Sequence, residues 1–342
     1  MGTRDRLVRW TIPAVVASVL VVVAGVALLT GTRDRADEPT GAAHDTRTVT
    51  YRDVSLDVPR AWGWGREAGP DWCADVPGGE RRFQDEPFVQ LPPGVVVLAI
   101  ACPEEEVVPA AFGSAPPRLW TPHVELADTD VEGGPRVPDG ASTHRGWTLT
   151  ARTVGDVQVR VLDDGSVTDL VQPILSSARV VERSPEGCEV ASPAVAPDRP
   201  RPGPADITAV GAVSSITICQ YRRGTYARPG LLAVRRLDGA PAQTLLEAIK
   251  QAPVGGGPDD PANCAEDDFG DRVLALHLES PDAGRSQVYV GYASCRGNGF
   301  DDGVAVRELT RDACLPLWGE GVELTGGSYE VFRRCHDDMP GG

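Results

Sequence analysis

The sequence predicts an α+β protein: an N-terminal transmembrane helix followed by two disulfide-containing, mainly antiparallel β-sheet domains, each with one or two packed helices. Three observations lead to this prediction. They are an early run of 21 uncharged residues, eight cysteines that all follow it, and many short segments in which apolar and polar residues alternate. The 342 residues suffice for two ordinary domains and an anchor. The 38 glycines and 30 prolines favour short strands joined by many turns.

The uncharged run, Trp10 to Thr30, has the composition and the length of a transmembrane helix. As a helix it would extend about 31 Å, which matches the hydrocarbon core of a bilayer. Arg4, Arg6 and Arg9 precede it and favour an N-terminus in the cytoplasm. We therefore expect a cytoplasmic tail at 1–9, a transmembrane helix at 10–30 and a polar stalk at 31–47.

A cleaved signal peptide is the alternative interpretation of the same run. The run is longer than the usual h-region of roughly 7–15 residues, but Gly25-Val26-Ala27 offers a weak cleavage site. Both interpretations place the bulk of the chain outside the cytoplasm. They differ in whether the protein stays on the membrane or is secreted.

All eight cysteines lie on the exported side of the run, which predicts disulfide bonds formed in an oxidising compartment. Sequence alone does not determine the connectivity, and we expect sequential pairing. The expected pairs are Cys73–Cys102, Cys188–Cys219, Cys264–Cys295 and Cys314–Cys335. A structural zinc site is disfavoured because the chain has no CxxC or CxxxC spacing.

The first predicted domain covers residues 48–183. Val54, Leu56 and Val58 alternate with polar residues, as in a half-buried strand that ends at Pro59. Farther along, VVVLAIAC has the length of a buried strand, and WTLTARTVGDVQVRVLDD contains two alternating runs joined by a Gly-Asp turn.

An amphipathic helix follows these strands. Ser166 and Asp169 resemble a capping box at its start. Val167, Leu170, Val171, Ile174 and Leu175 share one helical face, which we expect to cover one face of the sheet.

Two short motifs carry a resemblance to a known family. A strand ends in Val58-Pro59-Arg60-Ala61-Trp62, and the helix is followed by the pattern I-L-x-S-x-R at residues 174–179. Both features resemble PsbP/Mog1-like domains and related actinobacterial secreted proteins. The resemblance covers residues 48–183 and implies an antiparallel sheet flanked by helices. It implies no enzyme activity, since that family consists mostly of binding and accessory domains.

The second predicted domain covers residues 187–338 and contains the last six cysteines. SITICQY, LLAVRRL, RVLALHLE and SQVYVGYASC have strand patterns, and Pro241 opens the helical segment PAQTLLEAIKQ. Cys219-Gln220-Tyr221 and the paired strands that end in cysteine resemble uncharacterised actinobacterial secreted proteins. That resemblance implies no particular activity.

Local signatures of catalysis, cofactor binding and metal binding are absent from the sequence. It has no G-x-S-x-G or S-x-x-K motif, and the acidic runs at 104–106, 266–271 and 298–303 do not fit a calcium loop. We interpret these runs as solvated turns. The histidines have no evident partner, and we expect them to be structural. They are His44, His123, His144, His277 and His336.

Trp62, Trp64 and Trp72 are the candidate ligand-stacking residues, because exposed aromatic rings can stack on a sugar or a peptide. The alternative is that they pack against the disulfide of Cys73, since tryptophan is usually largely buried.

Two classes of function remain. The first is a non-enzymatic protein of the cell envelope that binds a partner protein or a glycan at the membrane. The second is a cell-wall-acting hydrolase without a recognisable motif. Nucleic acid is excluded as a partner by the net charge of −16 and the lack of a basic stripe.

The anchor gives the first testable prediction. We expect the chain to sediment with membranes and to resist carbonate extraction, because no charge opposes insertion of the run from Trp10 to Thr30. Protease added to intact cells should remove the exported part. A protein recovered from the medium with a new N-terminus near Leu28 would contradict the anchor but not the extracellular location.

Overall fold

The computed structural model describes residues 45–69, 72–73, 83–92, 102, 108–129, 137–224, 228–260, 262, 270–325 and 329–336. The predicted tail, the predicted transmembrane helix and most of the predicted stalk lie outside these ranges. Within them, no helix is long and apolar enough to cross a membrane. The chain divides into two units at Asp45, and the elements below belong to the second unit, residues 45–342.

A β-hairpin opens the second unit. It consists of β1 (Thr46–Tyr51) and β2 (Val54–Pro59), which pair antiparallel. Two residues of β9 (Arg179–Val180) extend it to a three-stranded sheet in the order β1-β2-β9. The predicted strand ending at Pro59 is therefore the second strand of a hairpin, and Thr46 and Arg47 belong to β1 and not to the stalk.

A six-stranded sheet lies against this hairpin across a shared apolar core. Its strands run in the order β3-β4-β5-β8-β7-β6, and the pairs β3–β4 and β4–β5 are parallel. The bounds are β3 (Gly63–Trp64), β4 (Phe88–Gln90), β5 (His123–Asp128), β6 (Gly140–His144), β7 (Trp147–Val154) and β8 (Val157–Asp163). The predicted Gly155-Asp156 turn between β7 and β8 is confirmed. The predicted strand VVVLAIAC lies mostly outside the described residues.

Helix α1 (Thr168–Ser177) follows β8 and buries Val171, Ile174 and Leu175 in the same core, as its periodicity predicts. The predicted capping box is wrong, because no side chain caps the helix at its N-cap residue, Val167. The Asp163 carboxylate organises this turn instead, since it accepts hydrogen bonds from the backbone N–H of Gly165 and of Val167.

A second six-stranded sheet, in the order β11-β10-β12-β13-β14-β15, is antiparallel throughout. Helix α2 (Ala240–Gln251), predicted from the segment that Pro241 opens, packs on one face through Leu245, Leu246 and Ile249. The bounds of the other elements are β10 (Ser215–Arg222), β11 (Gly230–Asp238), β12 (Arg272–Ser280), β13 (Gly284–Gly291), β14 (Gly299–Asp301), β15 (Val306–Arg307), α3 (Arg311–Cys314) and α4 (Tyr329–Cys335). The fold is thus a mixed α+β arrangement dominated by sheets.

Three of the expected disulfides are present: Cys73–Cys102, Cys188–Cys219 and Cys314–Cys335. Cys295 is also disulfide-bonded, and Cys264 lies outside the described residues. Cys314–Cys335 joins α3 to α4 beneath α2. No free thiol occurs among the described cysteines.

Arg52 connects the hairpin to the second sheet. Its backbone N–H donates to the Leu231 carbonyl at 2.7 Å, and its Nη1 donates to the Arg228 carbonyl at 2.5 Å. Its Nε and Nη2 donate to the two carboxylate oxygens of Asp128 at 3.1 and 2.9 Å. Only 6% of the Arg52 side chain and 9% of the Asp128 side chain are exposed. The ion pair itself lies within the first predicted domain, and the two bonds from Arg52 to the Leu231 and Arg228 carbonyls link that domain to the second. Whether residues 48–183 and 187–338 fold separately stays a prediction.

Asp128 remains ionised in this setting. Burial alone would raise the pKa of its carboxyl, but the hydrogen bonds and the charge of Arg52 outweigh burial, so the pKa lies below its usual value. The pair therefore stabilises the fold above the ordinary carboxyl pKa, and this contribution is lost as pH falls through the lowered pKa.

The pair gives a stability prediction. Asp128→Asn leaves the Arg52 charge buried without a counter-charge and should cost about 3–5 kcal/mol of unfolding free energy. The matched control is Asp45→Asn, which breaks the Arg60–Asp45 pair, whose side chains are 60% and 77% exposed. This control should change stability by less than about 1 kcal/mol. Urea denaturation of the full chain measures both, and equal effects would contradict the role given to Asp128.

Candidate functional site

A row of four polar side chains crosses the second sheet on the face opposite α2. The antiparallel register places Arg236 of β11 beside Thr217 of β10, Thr217 beside His277 of β12, and His277 beside Gln287 of β13. Alternation along each strand directs all four to one face, because residues two apart share a side of a sheet. The row therefore presents hydrogen-bond donors and acceptors from four strands in one line.

The segment 183–189 lies over this row and is held by three successive side chains on the same face of β10. The Thr217 hydroxyl donates to the Glu186 carbonyl at 3.1 Å, and the Tyr221 hydroxyl donates to the Glu189 carbonyl at 2.7 Å. Between them, Cys219 is bonded to Cys188. The alternating pattern T-x-C-x-Y in β10 thus fixes the segment E-G-C-E to the sheet at three consecutive points.

A tight turn shapes the segment where it meets the row. The Gly187 N–H donates to the Ser184 carbonyl at 2.9 Å, and Gly187 has a φ of 103°, a conformation that favours glycine. Its carbonyl accepts hydrogen bonds from Arg183 Nη1 at 3.2 Å and from the His277 ring. The turn therefore rests directly on the histidine.

A cleft of about 950 Å³ lies between this segment and a second one, Gly203-Pro204-Ala205. The Ala205 N–H donates to the Asp302 carbonyl at 2.9 Å, which attaches the second segment to the turn after β14. The floor is formed by the polar row and by the ends of β12 and β13. The described residues that line the cleft include no Trp, Tyr or Phe.

His277 is a neutral group in this floor. Burial lowers the pKa of its imidazole, and Arg183 and Arg285 lower it further, while Glu189 and the hydrogen bond to Gly187 raise it. The His277 Nε2 lies 3.0 Å from the Gln287 amide nitrogen, which can only donate. Nε2 therefore accepts, and the other ring nitrogen carries the proton that is donated to Gly187.

The cleft carries balanced charges at its rim. Every arginine that lines it has a carboxylate partner within 3.0 Å: Arg183 with Glu189, Arg236 with Asp238, and Arg285 with Glu279. Glu186 is the remaining carboxylate of the lining, and no ion pair to it occurs among the described residues.

This arrangement suits binding better than acyl transfer. A nucleophile must lie within hydrogen-bond reach of its base, yet the Thr217 hydroxyl beside His277 is engaged by the Glu186 carbonyl. In the part of the chain that the structure describes, no group of three or more His, Cys, Asp or Glu side chains could hold a metal ion.

A second polar cluster occupies the first sheet. Gln90, Glu125 and Arg160 lie in one row across β4, β5 and β8, and Glu125 pairs with Arg160 at 3.2 Å. Above them, the Glu67 N–H donates to Gln90 Oε1 at 2.6 Å. Loss of solvation by the surrounding protein raises the pKa of the Glu67 carboxyl to about 7, and the negative charge of Glu125 is the second cause. Much of the Glu67 surface stays in contact with solvent, which screens these charges.

The structure separates the three candidate stacking tryptophans. Trp62 is 6% exposed and belongs to the first core. Trp64 lies half-buried under the Arg47 guanidinium, 4.3 Å from its ring centre. Trp72 lies beneath Arg118 at 4.9 Å. Trp62 is thus a core residue, and both other rings have a cationic side chain over them.

Acidic residues of the run at 298–303 hold backbone turns together. Asp302 is 2% exposed and accepts hydrogen bonds from the N–H groups of Ile207, Val304 and Ala305. Asp301 pairs with Arg201 at 2.6 Å. These contacts attach the Pro-rich segment before Ile207 to the second sheet, so the run is structural and not simply solvated.

The sequence showed no evident partner for His277. This residue lies under the turn at 184–187. The available signal was the T-x-C-x-Y alternation, which puts Cys219 on the same face as Thr217. A disulfide from Cys219 to Cys188 then has to bring the segment before Cys188 onto that face.

The chain matches no family model, no curated protein and no solved structure.

The neutral histidine gives a pH prediction. The folded-state pKa of His277 is lowered, so the unfolded chain binds more protons below about pH 6.5, the ordinary histidine pKa. Unfolding free energy should therefore fall as pH decreases from 7 to 5, by up to about 1.4 kcal/mol per pH unit from this group. His277→Gln should show a shallower pH dependence in urea denaturation. Identical slopes for both proteins would contradict a neutral buried imidazole.

Proposed function

We propose that this protein is a membrane-anchored, extracellular, non-enzymatic binding protein of the cell envelope, and that its cleft holds a segment of a partner protein. The uncharged run from Trp10 to Thr30 supports the anchor. The disulfides support an oxidising compartment outside the cytoplasm.

The observation that carries the proposal is the polar row beneath the segment 183–189. A peptide brings backbone N–H and C=O groups that need partners when they leave water. The row supplies both kinds of partner on adjacent strands, since Gln287 has an amide oxygen and a second amide N–H beyond the one directed at His277, and Arg236 has several N–H donors. Clefts with a few precisely placed polar groups are the usual form of a binding site.

A peptide fits this cleft better than a glycan. Sugar rings bind with help from aromatic side chains that stack on their apolar faces, and the described lining has none. The prolines at the two rims, Pro185 and Pro204, give narrow apolar edges that an extended chain can pass between.

The second candidate function is a cell-wall-acting hydrolase. One observation favours it: Glu67 has a raised pKa near Glu125, whose partner is Arg160. Glycoside cleavage needs a carboxylic acid with a raised pKa close to a second carboxylate. Loss of wall-hydrolysing activity in Glu67→Gln would support this alternative.

The binding proposal can be tested with peptides selected from a random displayed library on the full-length protein in detergent. Gln287→Arg fills the cleft floor and should weaken these peptides at least about ten-fold, since a bulky charge replaces a neutral partner. The matched control is Gln172→Arg on the exposed face of α1, which makes the same change away from the cleft.

We expect Gln172→Arg to bind like the natural protein. Both variants should keep its melting temperature, which separates binding from folding. The proposal fails if no peptide is enriched, or if the selected peptides bind Gln287→Arg normally. Binding of an N-acetylated chitooligosaccharide that Gln287→Arg abolishes would identify a glycan as the ligand instead.

A further inference from the structure

One carboxylate in the cleft has no ion-pair partner among the described residues. The arginines of the lining are each engaged by their own carboxylate, in the three pairs described above. Glu186 is left over, and His277 cannot compensate it because the imidazole is neutral. A ligand therefore meets one negative charge that the described residues do not neutralise.

Glu186 is fixed through its backbone and free at its carboxylate. Its carbonyl accepts the Thr217 hydroxyl, and the disulfide at Cys188 follows two residues later. Its Oε2, by contrast, is enclosed and has no hydrogen-bond partner among the described residues. An enclosed carboxylate oxygen without a donor is costly, because it has lost water and gained nothing in exchange.

The side chain can turn toward a ligand at little cost. It is half-buried, lines the cleft, and makes no hydrogen bond that would have to break. A donor that enters the cleft gains a charge-assisted hydrogen bond and relieves the enclosed oxygen at the same time.

We infer that the cleft recognises a protonated primary amine on its peptide ligand, with the Glu186 carboxylate as the group that binds it. The inference rests on the proposed function and names the chemistry of that site. The amine can come from a lysine side chain or from a free peptide N-terminus, which share this chemistry.

A compact ammonium suits the position better than a guanidinium. The guanidinium is a wide planar fork that binds best to both oxygens of a carboxylate, whereas an ammonium is a point charge that satisfies a single oxygen. The remaining ammonium protons can reach the acceptors of the row below, such as the side-chain oxygen of Gln287.

The test measures the binding of three pentapeptides to the full-length protein in detergent by calorimetry. Each peptide is built on glycine and alanine, and they differ in which amine is free. One has a central lysine with both ends blocked. The second is the same peptide with the lysine Nε-acetylated. The third has no lysine but a free N-terminus. The variant Glu186→Gln is compared with Glu182→Gln, which makes the same charge change at an exposed position just before the segment.

We expect the lysine peptide to bind, and its Kd to rise at least about ten-fold on acetylation or on Glu186→Gln, the usual range for a charge-assisted hydrogen bond. Acetylation of the lysine combined with Glu186→Gln should raise the Kd little more than either change alone, since both remove the same contact between the ammonium and the carboxylate. Glu182→Gln should stay within about two-fold, as exposed charges contribute little. Binding of the free N-terminus peptide that depends on Glu186 would identify the α-amine as an accepted source.

Three outcomes overturn the inference. The first is equal affinity of the lysine and acetyl-lysine peptides for the natural protein. The second is an equal loss in Glu186→Gln and Glu182→Gln, which would reduce the effect to general charge. The third is no binding of either amine peptide at about 10 mM, since one charged contact in a formed cleft should give at least this affinity. Library peptides without an amine that still need Gln287 would then leave the proposed function standing.

Discussion

The disulfide between Cys188 and Cys219 is the constraint on which the cleft depends. It attaches the segment 183–189 to the middle of β10, and the hydroxyls of Thr217 and Tyr221 secure it on either side. The bond also reduces the number of conformations that the unfolded chain can adopt between the two cysteines. This lowers the entropy of the unfolded state and so stabilises the fold. A protein that works in an oxidising compartment can rely on such a bond, and a reduced chain would lose the wall of its candidate site.

A second constraint joins the two halves of the described chain. Arg52 satisfies the Asp128 carboxylate and two backbone carbonyls beyond the first sheet, so its charge is buried with its hydrogen-bonding groups used. A buried pair of this kind is expensive to break and adds little over an apolar contact, so its value lies in fixing the hairpin on the first six-stranded sheet and holding Arg52 toward the second. The junction contacts Leu231 at the start of β11, whereas the cleft includes Arg236 near the end of the same strand, so side-chain changes can perturb each separately.

Sequence patterns predicted the helices, strands and disulfides better than the side-chain contacts between distant parts of the chain. Periodicity and spacing predicted the two strands that flank Gly155-Asp156, the helix that contains Leu245, and three sequential disulfides. All of these are present. The way α1 begins was not predicted, because the carboxylate that accepts a hydrogen bond from the Val167 N–H belongs to Asp163 at the end of the preceding strand. The polar row was not predicted either. It depends on the register of four strands that are far apart in the chain, and no local pattern encodes which residue of β13 faces His277.

The central claim is that the cleft under the segment 183–189 binds an amine-bearing peptide through Glu186. A crystal structure of the full chain with the blocked lysine pentapeptide tests it most directly. The account predicts the peptide between this segment and Pro204, with the lysine nitrogen about 3 Å from a carboxylate oxygen of Glu186. A peptide bound elsewhere, or one in the cleft with its lysine directed into solvent, would contradict it.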